Sequence, residues 1–345
     1  MKPFSNIPTL ILAAAMLAAT GCSSSSSTPA ATVSAASTVY VSSPNASQAP
    51  SQPPSMQGYS ASSSSSTSTS TVNGPAGDAF IGLATDTSGN LYTIDKSTAN
   101  STTTYTVNEY AAGSNSTGGA VTTTMRTFTS AAINVAPVGL TVDSSGNVYV
   151  MLTGGTLVRF AASSSGSVSA SATLTGLVNT STNVSVMATD SAGNLYVTIP
   201  VSLTDNHNII AVYSSGYVSG ATPLRTIIPA TEINITSLAV DANGNVYATG
   251  KDTNNTVQVA TFAAASTGAS TATRVISGAN TNLKNPWQVK VDGSGNIFVG
   301  DTATGAVGGS VVMYKFDSSA SGNASPTTTT TTTATYAATT GMAIH

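Results

Sequence analysis

The sequence predicts an all-β fold, a ring of six four-stranded blades, on three observations. The stretch DSSGNVYV, Asp143 to Val150, recurs as DTSGNLYT from Asp86, DSAGNLYV from Asp190, DANGNVYA from Asp241 and DGSGNIFV from Asp292. Successive aspartates of these copies lie 57, 47, 51 and 51 residues apart, which is the spacing of propeller blades or solenoid turns. Each copy is preceded by a short apolar run and followed by a second strand pattern that closes on an aromatic residue.

Within one unit, each element has a local cause. The apolar runs GLATD, GLTVD, VMATD, SLAVD and QVKVD read as a first strand ending at the aspartate. Its carboxylate accepts a backbone hydrogen bond two residues on, and the glycine three positions later supplies a positive φ. Asp86 and Gly89, Asp143 and Gly146, Asp190 and Gly193, Asp241 and Gly244, and Asp292 and Gly295 are thus turn residues of a tight hairpin with a bulge. A calcium loop would gather several carboxylates within a dozen residues, and each copy offers one. The run after Gly-Asn starts the second strand. A third ends at Tyr110, Phe160, Tyr213, Phe262 and Phe316, and a fourth shows in MRTFTSA, PLRTIIPA and ATRVISGA.

The two ends of the sequence complete the count. GMAIH, residues 341–345, aligns with GLTVD as a first strand. Tyr40 stands 52 residues before Tyr92, and Tyr59 stands 51 before Tyr110. The N-terminal segment then supplies strands two to four of a blade and the C-terminal segment its first strand, pairing two edges that an open array would expose. The alternative is five blades behind a disordered stalk. The repeat is plain over 78–345 and rests on the two tyrosines over 36–77.

Composition narrows the function. The chain has 345 residues, 7% of them charged, one Cys and a formal charge of −3. Soluble domains average about 25% charged residues. Without a clustered basic face, nucleic acid is excluded as a partner. Residues 1–21 have the organisation of an export signal, with Lys2, an apolar stretch and small residues ahead of Cys22. The ending AATGC resembles the lipobox of bacterial lipoproteins, with Ala19 where Leu is commonest. That resemblance implies lipidation of Cys22 and, with Ser23 after it, passage to the outer membrane. Residues 22–35 read as a Ser-rich tether, so the expected membrane contact is the lipid alone.

The unit, an apolar strand, D-x-x-G-N-[VIL]-Y-V, then a loop and an alternating strand ending in an aromatic, resembles the NHL repeat. KDTNNTVQVATF from Lys251 and TDNHNIIAVY from Thr204 extend the match into the following loop, and RVISGANTNLKNPWQVKVD is similar to the lead-in of NHL-like envelope lipoproteins. The resemblance implies a propeller, and propellers serve as binding platforms, lyases and lactonases. It also implies that loops joining strands two and three lie on the ligand face, opposite the D-x-x-G-N turns. Asp95, Lys96, Asp205, His207, Lys251, Asp252 and Asp301 fall there and form the candidate binding rim. The rival reading is that the aspartates cap their own loops.

Two further candidates break a local pattern. Trp287, the one Trp, precedes an inner strand near the same face, where packing between blades competes with binding. Lys290 occupies the position of Ala84, Thr141, Ala188, Ala239 and Ala343, so its cation must enter the channel or reach an end of it. His345 stands where a turn aspartate belongs, with its main-chain oxygens able to take over that role.

Catalysis is poorly supplied, with two His and two Glu, Glu109 and Glu232, against the several ligands of a zinc site or the acid-supported His of a triad. The expectation is a non-catalytic, lipid-anchored binding or scaffold module of the cell envelope, without metal or cofactor, whose partner is an envelope protein or a glycan. The alternatives are a divalent-metal-dependent propeller hydrolase, lactonase or lyase, and a glycosylated spacer.

Overall fold

Six four-stranded antiparallel blades are arranged as a propeller, two of them extended by a short parallel strand from the next blade, in the computed structural model, which describes residues 37–43, 54–74, 79–115, 122–177, 186–201, 207–302, 311–332 and 341–345. The described residues belong to one compact unit, 36–345. Residues 1–36, with the signal, the tether and Cys22, lie outside them, as does Asp205.

Blade 1 is built from both ends of the sequence. Gly341–Ile344 is its inner strand, followed outward by Thr38–Ser43, Ser55–Ser60 and Ser70–Asn73. The closing register is Val39↔Ile344, Tyr40↔Ala343, Val41↔Met342 and Ser42↔Gly341. The shared blade therefore exists, and the five-bladed stalk arrangement does not. The Ser-rich run at 62–66 is the loop between the last two strands of this blade, folded by serine turns in which Ser62 N–H donates to Ser60 Oγ and Ser65 N–H to Ser63 Oγ.

Blades 2 to 6 follow the repeat, with inner strands Ala79–Thr85, Pro137–Val142, Met187–Thr189, Ile233–Val240 and Pro286–Val291. Third strands end on Tyr110, Phe160, Tyr213, Phe262 and Phe316, as the aromatic signal predicts. The second strands are largely buried, and Val148–Leu152 is buried at every residue, because each blade packs on both faces.

The core is six clusters, each between successive blades. Phe128 and Ile94 of blade 2 meet Phe160 and Val150 of blade 3, and Tyr149 and Met151 of blade 3 meet Tyr213 and Leu195 of blade 4. The same arrangement recurs between blades 4 and 5 and between 5 and 6. It closes through Phe298 and Met313 on Val39 and Met342, then Met56 and Val72 on Phe80 and Leu91.

Hydrogen bonds close the outside, backbone to backbone at three of the blade junctions and with one side-chain partner at the other three. The loop before each blade's outermost strand reaches onto the outermost strand of the preceding blade. Gly166–Ser167 pairs parallel with Phe128 and Thr129, and Gly268–Ser270 with Ile227 to Pro229. Gly322 exchanges bonds with Val275 and Ser277. Thr71 N–H donates to Asn115 Oδ1, Thr173 N–H to Ser219 Oγ, and Thr330 Oγ1 to the Ser63 carbonyl. Six edges that would template aggregation are covered in turn.

Candidate functional site

The turns define one end of the ring. In all five copies the aspartate Oδ1 accepts the N–H groups two and four residues on at 2.8–3.0 Å, and Oδ2 accepts the asparagine Nδ2. The turn glycines have φ of 80–82°, where a side chain would strain the backbone. In four copies a tyrosine hydroxyl adds a further bond to Oδ2, as from Tyr149 to Asp143 at 2.8 Å. Burial and that bond hold the Tyr149 phenol well above its usual range. In blade 6 the residue is Phe298, and Asp292 lacks this donor. At the blade 1 turn the His345 oxygen accepts the Thr38 N–H at 2.7 Å, the bond that Asp86 Oδ1 takes from Asn90.

A row of side chains runs outward from these tyrosines. Arg126, Arg225 and Arg274 lie over the rings of Tyr92, Tyr196 and Tyr247 at 5.7–5.8 Å. Each donates to a carbonyl in the next blade's loop, those of Ala162, Ser266 and Ser318. The row thus fastens blade to blade, and its ionisable groups are structural.

At the other end of the ring the predicted rim separates into unrelated contacts. Asp95 and Lys96 sit within the strand Leu91–Ala99, not in a loop, because this hairpin continues to a turn at Asn100 and Ser101, both at positive φ. Asp95 is 3% exposed and accepts the Asn108 Nδ2 at 2.7 Å, while Lys96 is exposed. His207 Nδ1 lies 3.1 Å from Glu232 Oε2 of the next blade. Asp252 makes a second set of turn bonds, to Asn254 N–H and Thr256 N–H, with Asn255 at φ 62°. It caps its own loop, as the rival reading of these aspartates has it.

Lys251 and Asp301 come together through Asn285. Lys251 Nζ donates to Asn285 Oδ1 at 3.4 Å, and Asp301 accepts the Lys284 and Asn285 N–H groups at 2.8–3.1 Å. Burial raises the Asp301 carboxyl, against the opposing pull of those two N–H bonds. Asp301 also caps a loop, across the hairpin. Trp287 occupies the bulge between Pro286 and Gln288. Its ring lies against Gly300, where an added Cβ would come within 3.0 Å of it, and packs on the blade 1 cluster. Trp287 is therefore part of the packing between blades 6 and 1. Among the described residues no three His, Cys, Asp or Glu are grouped to hold a metal.

Lys290 is not on the rim. It lies in the axial channel, bordering a cavity of about 290 Å³ that opens among the D-x-x-G-N turns and a smaller one of about 60 Å³ toward the other end beside Gln288. Ala84, Thr141, Ala188 and Ala239 border the larger cavity with it. Burial lowers the Lys290 ammonium to about 8. The partners Glu232, Asn285 and Lys284 carried no sequence signal, because each belongs to another blade or to an aperiodic loop.

No protein-family model matches the sequence, and no curated protein matches it. Among solved structures, a protein of unknown function from Bacteroides caccae is similar in fold, with a TM-score of 0.56 at 8% identity over 90% of this chain and 99% of that one. The WD40 domain of a Toxoplasma gondii coronin aligns with a TM-score of 0.40 at 10% identity, over 72% of this chain and 58% of that one. The property shared with the Bacteroides protein is the fold.

Proposed function

We propose that this protein is a non-catalytic binding or scaffold module of NHL-like type, held in a bacterial envelope by a lipid on Cys22 and engaging an envelope protein or glycan. The observation that carries this reading is where the ionisable groups are spent. The turn aspartates, Asp252, Asp301 and the blade-linking arginines are all bonded within the scaffold, so none of them is free to work on a substrate. The strand Thr38–Ser43 starts at the turn end of the ring, where Thr38 pairs with His345.

Expression of the full chain and its Cys22→Ser variant in a diderm bacterium tests the anchor. The expected result is a detergent-extractable, lipid-bearing protein by mass spectrometry, and a soluble exported variant. Equal membrane association of both would sink the lipid anchor. For the binding face, Lys251→Glu should weaken retention on immobilised envelope glycan or on captured envelope protein, and stoichiometric calcium or zinc with hydrolytic turnover would replace this reading with an enzymatic one.

A further inference from the structure

The channel holds a feature that the scaffold does not use. At one level of the ring, the inner-strand residues in blade order are Ala343, Ala84, Thr141, Ala188, Ala239 and Lys290. In a ring of six, blades 3 and 6 are diametrically opposed, so Thr141 faces Lys290 across the axis and small methyl groups stand between. No hydrogen bond or ion pair of the Lys290 ammonium exists among the described residues. Arg126, Arg225 and Arg274, by contrast, each donate to a neighbouring blade. A part-buried, unpaired cation costs stability, and the fold accepts that cost beside an open cavity of about 290 Å³.

The cavity's chemistry selects among ligands. Lys290 is the one cation in its lining among the described residues, so a single negative charge is matched there and a second is not. Asp86, Asp143, Asp190 and Asp241 ring the mouth. Their carboxylates accept the turn donors, and as four formal negative charges they disfavour entry of a dianion more than of a monoanion. The Thr85 and Thr189 hydroxyls donate to the carbonyls of Ile344 and Val142, which leaves their oxygens able to accept. Thr141 adds a hydroxyl opposite the cation. Alanine methyls supply the remaining wall. The volume of about 290 Å³ lies at the lower edge of the usual range of ligand pockets, about 300–1,000 Å³, and has room for a small ligand together with several waters.

We propose that the channel, entered from the D-x-x-G-N end, is a binding site for a small hydroxylated monocarboxylate, its carboxylate on Lys290 and its hydroxyl toward Thr141. The site is at the opposite end of the ring from the loops proposed for the envelope partner, so either can fail without the other. At pH 7 Lys290 is still a cation, with its ammonium lowered by burial to about 8, and a bound carboxylate would raise that value again.

The test is NMR of the full chain labelled with ¹³C and ¹⁵N at lysine, titrated at pH 7 and constant ionic strength with glycolate, acetate, inorganic phosphate and chloride. One lysine resonance, missing from the Lys290→Met spectrum, should shift and saturate with glycolate at a Kd of about 1–10 mM. Acetate should bind about threefold more weakly, and Thr141→Val should abolish that difference. A Lys290 resonance unmoved at about 100 mM glycolate would overturn the proposal on the wild-type chain alone, whatever the variants do. Phosphate binding tighter than glycolate would overturn the monocarboxylate, and an equal response to chloride would reduce the site to a nonspecific ion effect.

Discussion

Blades 5 and 6 have the same strands in the same registers and solve one row differently. In blade 5 the row reads Ala239, Tyr247, Thr261, Arg274 from axis to rim. Its tyrosine hydroxyl bonds to Asp241, and its arginine reaches the blade 6 loop. In blade 6 the row reads Lys290, Phe298, Lys315, Thr328. The hydroxyl is gone and Lys315 lies over the ring at 5.6 Å. A second cation faces the axis, where every other blade presents a small side chain. One row is thus closed on itself and its counterpart is left open at the inner end. The difference separates what the repeat needs to fold from what one copy has been free to change.

The comparison can be broken at its strongest point first. Asp241→Ala removes the acceptor of two N–H bonds, one amide bond and one hydroxyl bond, and should cost about 3–4 kcal/mol in urea unfolding. Asp292→Ala removes one bond fewer and should cost about 1 kcal/mol less. Equal losses would mean that the tyrosine contributes nothing to the turn.

Lys290→Met should act in the opposite direction, stabilising the fold at pH 7 by about 1–2 kcal/mol, since it replaces an unpaired, part-buried cation with an apolar stem. The pH dependence gives the sign. Lys290 titrates near 8 when folded and near 10.5 when free, so between these values the unfolded chain binds more protons. Wild-type stability then rises with pH in that window, and the advantage of Lys290→Met shrinks from pH 8 to pH 10. A gap that stays constant across that window would show that the ammonium is not desolvated. Taking the difference between the two proteins cancels the buried tyrosines, whose raised phenols act with the opposite sign at higher pH.

Arg274→Met should lose about 1–2 kcal/mol, through its carbonyl bond to blade 6 and its place over Tyr247. Lys315→Met should lose about 0.5 kcal/mol, because it has the ring contact alone. The smallest change sharpens the comparison from the other side. Phe298→Tyr should give Asp292 the donor that it lacks and add about 1 kcal/mol or slightly less. Its success would be read as a rise in Tm, with a crystal structure to locate the new hydroxyl.

Much of this was legible in the sequence. The turns, the aromatic ends of the third strands and the shared blade could be read because each depends on residues close together or at a fixed period, as with Asp143, Gly146 and Tyr149, or Tyr40 and Tyr92. Lys290 was visible as a departure from a column of small residues. The rim was not legible. Asp95 looked like a loop residue because the polar tract STANSTTT after Lys96 does not mark where the strand stops. Lys251 meets Asn285 across 34 positions with no periodic cue. The loops that cover the outer edges are Ser- and Gly-rich with no apolar pattern, and they act through backbone groups or the short side chains of Asn115 and Ser219, so Ser63 and Gly322 resemble linker until their partners are seen.

The seam in blade 1 also has a mechanical meaning. The strand Thr38–Ser43 is held by Gly341–Ile344 on one side and Ser55–Ser60 on the other, with hydrogen bonds perpendicular to its length. A pull arriving at Thr38 along the strand loads both rows of bonds together in shear, so that they resist as a set. The same pull across the strand would peel them one at a time. A ring joined without any covalent link across its seam is thus best able to bear load directed along the strand Thr38–Ser43.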